Sequence, residues 1–159
     1  MNGNDETDTL RRVVALLGGR TAFGCEVATL IQAHDIVDMG VPIVCVDNLL
    51  ACVPGLARDE VFRVALDMRW IEWANHRARY RVLHARRGSL LWSFADMLSG
   101  VMDVSGDATR ALAWIFSIRS DMGGRAPIEV MATPPGYAWV RRCLAQDAGI
   151  RETRMLLTA

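Results

Sequence analysis

The sequence predicts an all-α fold, and three observations carry that expectation. Asp107–Ser117 and Ser89–Met102 place their apolar residues three and four apart, the spacing of a helix with one buried face. Arg58–Arg87 contains no proline or glycine, so nothing in its composition interrupts helix. Gly18-Gly19, Gly40, Pro42, Pro54-Gly55 and Gly123-Gly124 stand at short punctuations between such segments. A minor strand near Thr21–Ala28 is the one expected exception.

Taken in order, Met1–Thr9 is polar and acidic and reads as a mobile start. Leu10–Leu17 is a short apolar-periodic segment that stops at Gly18-Gly19. Thr21–Ala33 reads either as a strand followed by a helix or as one helix. Asp35–Met39 and Ile43–Val53 read as helices separated by Gly40 and Pro42, and Pro54-Gly55 is a turn. Arg58–Leu66 and Arg69–Arg81 are two helical stretches around Asp67-Met68. In the second, Trp70, Ile71 and Trp73 are expected to anchor the helix to the core.

Ser89–Met102 carries an apolar face of Leu90, Leu91, Phe94, Met97, Leu98 and Val101. Ser105-Gly106-Asp107 breaks it. Asp107–Ser117 buries Ala108, Ala111, Leu112, Ile115 and Phe116, with Trp114 on the flank. Arg119–Arg125 breaks the period with Gly123-Gly124. Pro127 sits where a short helix would begin, because its missing N–H is unpaired there anyway. Thr133 is the expected N-cap of a last helix with Pro134 at its first position. That helix is expected to end near Ala148, with Gly149 as its stop. The tail Ile150–Ala159 either docks on a partner or packs back on its own domain.

The chain has 159 residues, 52% of them apolar, which suits one domain or two small ones and not a disordered chain. No apolar run approaches the roughly 18–20 residues of a membrane span, and the N-terminus has no signal-peptide core. A cytoplasmic protein without membrane contact is expected. All 18 basic residues are Arg, balanced by 18 acids. Zero net charge argues against a protein that coats nucleic acid along its whole surface. One region departs from that balance. Arg63, Arg69, Arg77, Arg79, Arg81, Arg86 and Arg87 face only Asp67 and Glu72 within Arg63–Arg87, seven minus two, a local +5. The bland account of this run is a solvated charged face.

Cys25, Cys45, Cys52 and Cys143 form no CxxC pair, and His34, His76 and His84 are scattered. Buried free thiols are expected, with Cys45 and Cys52 on one helix face, and no metal site or cofactor. The carboxylates are dispersed and no nucleophile stands beside a general base in a recognisable motif, so no enzyme is expected.

Several residues recur in a fixed order: Ala111 and Trp114, then Met122-Gly123-Gly124, Pro127-Ile128, Thr133 and Gly136, Val140, Leu144 and Gly149. Upstream stand Leu17-Gly18-Gly19 and Gly40-Val41-Pro42. This pattern resembles the MbcA/ParS/Xre antitoxins, from about Leu17 to Gly149. The resemblance implies an antitoxin of a type II toxin–antitoxin system. Its N-terminal portion, residues 10–88, would be helix-turn-helix-like, form a homodimer, bind operator DNA and repress the shared promoter. Its C-terminal portion, residues 89–159, would bind the cognate toxin, typically a RES-domain protein that degrades NAD or transfers ADP-ribose, and occlude that toxin's active site.

Mapped onto this sequence, Ile43–Val53 leads, Arg58–Leu66 is the second helix and Arg69–Arg81 the recognition helix. Candidate DNA contacts are Arg69, Asn75, Arg77, Arg79 and Arg81, since arginines contact phosphates and read guanine edges and an asparagine reads adenine. Asp67 stands where a turn glycine is common, and Arg87-Gly88-Ser89-Leu90-Leu91 keeps only the last Leu of the family's pattern. The region therefore reads as a degenerate helix-turn-helix or as one continuous Arg-faced helix. Candidate toxin contacts are Asp121, Met122, Gly123, Gly124, Arg125 and Pro127, with Arg151 and Arg154 of the tail. The alternative function is a stand-alone helix-turn-helix regulator without a toxin.

Overall fold

A computed structural model describes residues 3–53, 55 and 58–157, with residues 3–5, 58, 60, 61 and 150–157 described as backbone alone. The chain is mostly helical, as the apolar spacing predicts. It divides into two compact units, Met1–Ser99 and Gly100–Ala159.

The first unit begins with α1 (Gly3–Leu16), α2 (Gly19–Phe23) and α3 (Leu30–Met39). The expected mobile start is instead helical from Gly3, and Met1 and Asn2 lie outside the described residues. Thr21–Ala33 is neither of its two expected forms. Thr21 and its neighbours close α2, a loop follows, and Thr29 opens α3 through a reciprocal cap. The Thr29 hydroxyl accepts the Gln32 N–H at 3.3 Å, and the Gln32 side-chain oxygen accepts the Thr29 N–H at 3.1 Å. That cap commits Thr29 to a helix start, so no strand forms at Thr21–Ala28.

Strand pairing appears elsewhere. Val41–Pro42 (β1) pairs antiparallel with Val82–Leu83 (β2), Val41 opposite Leu83. Two-residue strands are too short to show an alternating pattern in sequence. Between them lie α4 (Val44–Cys52), α5 (Arg58–Ala65) and α6 (Trp70–Arg79). Of the turn expected at Pro54-Gly55, Pro54 lies outside the described residues. On α4, Cys45 is buried while Cys52, at the helix end, is exposed, so the two thiols do not share an environment. Cys25 is exposed as well, and Cys143 is buried.

The core of this unit includes Leu10, Val27 and Ala33, with Val14, Phe23, Ile36 and Trp92 packed against them. Phe62, Leu66 and Trp73 are fully buried, and the Phe62 and Trp73 rings lie 5.2 Å apart. Such aromatic pairs add about 0.5–1.5 kcal/mol beyond the area they bury. Trp73 is the anchor of α6. Ile71 is 63% exposed, contrary to expectation, because it stands on the far side of α6 from Trp73, whereas Trp70, 41% exposed, still lays its ring 5.0 Å from that of Phe62.

α7 (Ala85–Ser105) contains the division between the two units. The second unit continues with α8 (Ala108–Phe116), a 3-10 turn at Ser120–Met122, α9 (Pro127–Val130) and α10 (Pro134–Leu157). Asp107 caps α8 by accepting the Arg110 N–H at 2.8 Å. Pro127 takes the first position of α9, and Thr133 caps α10 by accepting the Gly136 N–H at 3.3 Å. The expected stop at Gly149 does not occur: α10 runs through it to Leu157. One helical glycine costs only about 1 kcal/mol relative to Ala, and Arg151, Glu152, Arg154, Met155, Leu156 and Leu157 all favour helix. The tail is thus an extension of α10, and what its side chains touch lies outside the described residues.

Candidate functional site

Each unit carries one candidate surface. In the first, Arg58–Arg87 is not one continuous helix. α5 ends at Ala65, a short turn follows, and α6 starts at Trp70. Asp67 makes the turn with φ 49°, alone among the described non-glycine residues in taking a positive value. Asp is one of the few side chains that tolerate that region. Arg86 Nη2 reaches Asp67 Oδ2 at 2.6 Å, and the Met68 N–H donates to the Phe62 carbonyl at 3.0 Å. The result is a corner at which α5 turns into α6.

The expected contact residues divide. Arg69 precedes α6 and is tied to its first turn: Glu72 accepts the Arg69 N–H at 2.9 Å and its Nε at 3.0 Å. Those bonds hold the Glu72 carboxyl below its usual range. Arg77 Nη2 pairs with Asp47 of α4 at 3.0 Å. Asn75 and Arg79 are exposed on α6. Arg81 is exposed but lies beyond the helix, which ends at Arg79, because its carbonyl accepts the Ile43 N–H at 3.0 Å beside the β1–β2 pair. Arg79 and Arg81 have no carboxylate partner among the described residues. His76 is buried between Trp73 and Tyr80, whose rings lie 6.2 and 4.6 Å from its own. Burial, more than any neighbouring charge, keeps its imidazole below the ordinary pKa, and its Nε2 has no described partner.

In the second unit, the loop between α8 and α9 is built around Arg119. Its guanidinium holds Asp121 with two bonds, Nε to Oδ1 at 3.0 Å and Nη2 to Oδ2 at 2.8 Å. Its Nη1 donates to Asp147 Oδ2 at 2.8 Å, and its Cζ lies 5.1 Å from the centre of the Trp114 ring. Bidentate arginine–carboxylate pairs are among the stronger polar contacts in proteins. The contact with Asp121, and then that with Asp147, holds Arg119 protonated beyond its already high value. Arg119 in turn lowers the pKa of Asp121. Residues 119 and 125 form an antiparallel bridge, so the loop closes on itself. At its tip Gly123 and Gly124 take φ 66° and 73°, a conformation that suits residues without a Cβ.

A cleft of about 540 Å³ opens beside this tip, lined by Asp121, Met122, Gly123, Arg125, Glu129, Val130, Thr133, Pro135, Gly136 and Trp139. Trp139 forms one wall, 43% exposed, and donates its indole N–H to the Asp121 carbonyl at 3.1 Å. Arg142 lies over the Trp139 ring, its Cζ 5.5 Å from the ring centre. Both carboxylates of the cleft are engaged, Asp121 by Arg119 and Glu129 by the Ala126 N–H at 3.0 Å. Arg125 gives its Nε to the Met122 carbonyl at 3.3 Å and is otherwise exposed.

The structure thus brings Asp121, Met122, Gly123, Gly124 and Arg125 together in one loop. Met122 is 3% exposed and Pro127 is buried, so these two shape the loop from within. Arg151 and Arg154 lie on α10, and their side chains are outside the described residues. Sequence reasoning missed Arg119, Asp147 and Trp139. Asp147 left one signal: it is the single acid between Pro134 and Gly149.

No protein-family model matches this chain, and no curated protein matches it either. No described helix is long and apolar enough to cross a membrane.

Proposed function

We propose that this protein is the antitoxin of a type II toxin–antitoxin pair, a cytoplasmic homodimer that binds a RES-type toxin and occludes its active site. The observation that carries the reading is the construction of the Arg119–Arg125 loop. The residues of the antitoxin-like pattern are spent on building it and its floor. Trp114 packs under Arg119, Pro127 starts α9 behind the loop, and Thr133 caps α10. Gly136 lets α10 pass so close to the Val130 carbonyl that a Cβ would overlap it. Val140 and Leu144 are buried beneath. The product is a braced loop with a tip free of side chains, beside a cleft with an exposed tryptophan. Such a tip lets another protein approach the backbone closely, and Trp and Arg are favoured interface anchors. This protein does no chemistry in the complex.

The test is co-purification with the product of the adjacent gene, with growth measured when that gene is expressed alone and together with this one. A neighbour that arrests growth, binds this chain and is neutralised by it supports the reading. A harmless or non-binding neighbour rejects it.

A second reading, a DNA-binding regulator without a toxin, is favoured by the α5–α6 corner with Arg79 and Arg81 beside it. The same corner serves an antitoxin that represses its own operon. DNA affinity that falls steeply with salt supports the nucleic-acid half of both readings.

A further inference from the structure

α6 turns a particular stripe away from the core. Its buried side chains are Trp73 and His76. At 100° per residue, Ile71, Ala74, Asn75 and Ala78 all point within about 50° of the opposite direction. All four are exposed. The stripe is apolar except for Asn75, whose carboxamide has no hydrogen-bond partner among the described residues. The arginines are not on it. Arg79 lies roughly 90° to one side. Arg77 lies on the other flank, where Asp47 holds it. Arg69 and Arg81 stand before and after the helix.

We infer that this stripe reads A·T base pairs in the major groove, with Asn75 on adenine and Ile71, Ala74 and Ala78 against thymine methyls, while Arg79 and Arg81 hold the flanking phosphates. The inference rests on the DNA-binding half of the proposed function and adds what the site discriminates. Asparagine offers a donor and an acceptor that match adenine N7 and N6, and small apolar side chains complement the thymine C5-methyl group. Guanine is read mainly by Arg or Lys from the groove-facing side of a helix, and no such residue faces outward here. Positive charge from Arg79 on one flank and Arg81 past the helix end, beside an uncharged centre, suits phosphates that border a groove. From Ile71 to Ala78 the stripe is about 10 Å long, or roughly three base-pair steps. The guanine-reading role expected for the arginines is thereby replaced with a phosphate-holding one.

The test selects binders from a pool of random 20-base-pair duplexes with the full chain at low salt. The winning duplex is then remade with uracil for thymine and 7-deazaadenine for adenine. The expected winners share an A·T core. Loss of each contacted methyl should weaken binding about fourfold, the worth of one buried carbon group. Asn75→Ala should reduce the preference for adenine at one position about tenfold and leave the salt dependence unchanged. Its thermal midpoint should match that of the parent, since Asn75 is exposed and unpartnered. Steep salt dependence without base preference, or a G·C core insensitive to uracil, overturns the inference and leaves DNA binding standing. No binding to the pool at low salt overturns both. A change of oligomeric state in Ile71→Glu would then mark the stripe as a protein interface.

Discussion

Trp114 donates its indole N–H to Asp147 at 2.8 Å across 33 residues of sequence, and the same carboxylate oxygen accepts Arg119 Nη1 at 2.8 Å. One carboxylate on α10 thus fixes both the end of α8 and the start of the glycine loop. Asp147→Ala would leave two donors without an acceptor in a largely covered site. A cost of about 1–3 kcal/mol is expected, read from urea unfolding. A change in stability below about 0.5 kcal/mol, the usual scatter for surface substitutions, would remove the network from its structural role.

Two glycines of α10 should respond to alanine with opposite signs. Gly136→Ala places a methyl group into the Val130 carbonyl. Backbone cannot easily yield there, and a loss of about 3 kcal/mol is expected. Gly149 lies within the helix, and a Cβ there meets nothing within 4 Å. Gly149→Ala should gain up to about 1 kcal/mol. Destabilisation by Gly149→Ala would instead indicate that the helix stops at this residue.

The turn between α5 and α6 makes a third prediction. Asp67 holds φ 49°, while its ion pair with Arg86 is largely exposed on both sides. Exposed pairs contribute about 0–1 kcal/mol. Relief of the left-handed backbone contributes about 1–2 kcal/mol. Asp67→Gly should therefore be neutral or stabilising, and Asp67→Val destabilising by about 1–2 kcal/mol. Thermal midpoints of the two variants decide it. A marked loss in the glycine variant would show that the ion pair with Arg86 outweighs backbone strain.

Acidification should weaken the fold in two stages. The folded-state pKa values of His76 and Asp121 are both lowered, His76 by burial and Asp121 by its bonds to Arg119. In each case the unfolded chain binds the proton more readily, so stability is lost as pH falls. His76 contributes in full above its unfolded value near 6.5, and Asp121 above its unfolded value near 3.8. Each contribution disappears as pH drops through the lower folded value. In thermal unfolding from pH 8 to 3, His76→Phe should flatten the first stage and leave the second. Unchanged slopes in that variant would mean that His76 is not the group that titrates.

The thiols should separate by accessibility. Cys25 and Cys52 are exposed, while burial pushes the Cys45 thiol up to about 12 and also raises Cys143. A thiol reagent at pH 8 should label two cysteines quickly and the other two only after denaturation. Rapid labelling of Cys45 in the folded protein would contradict the packing around α4.

Local signals were legible in the sequence where the physics is local. Asp107, Thr133 and Pro134 mark helix starts because capping depends on neighbours within a turn. The α5–α6 corner was legible as an alternative and needed the geometry of Asp67 to decide it. The Arg119–Asp147 contact was not legible, since it joins residues 28 apart on different elements. Nor was the course of α10 past Gly149, because a single glycine's propensity is small beside the cooperative extension of a long helix. Ile71 misled for a different reason. A large apolar residue reads as inward-facing, although the helical angle of Trp73 and His76 leaves Ile71 on the outer side.

The pairing of Val41–Pro42 with Val82–Leu83 has a consequence out of proportion to its four residues. It joins the two ends of the segment that contains α4, α5 and α6, so that stretch is a closed ring and not an open run of helices. Valine side chains seal the closure: a Cβ on Gly40 would meet Val82 at 2.9 Å, and one on Gly88 would meet Val41 at 2.9 Å. Joining chain ends forty residues apart is entropically costly and slow relative to forming any one of the helices. Once the ring is shut, a helix within it cannot fray away alone without straining the clasp. α6 should accordingly exchange its amide hydrogens in step with α4 and α5, as one cooperative unit.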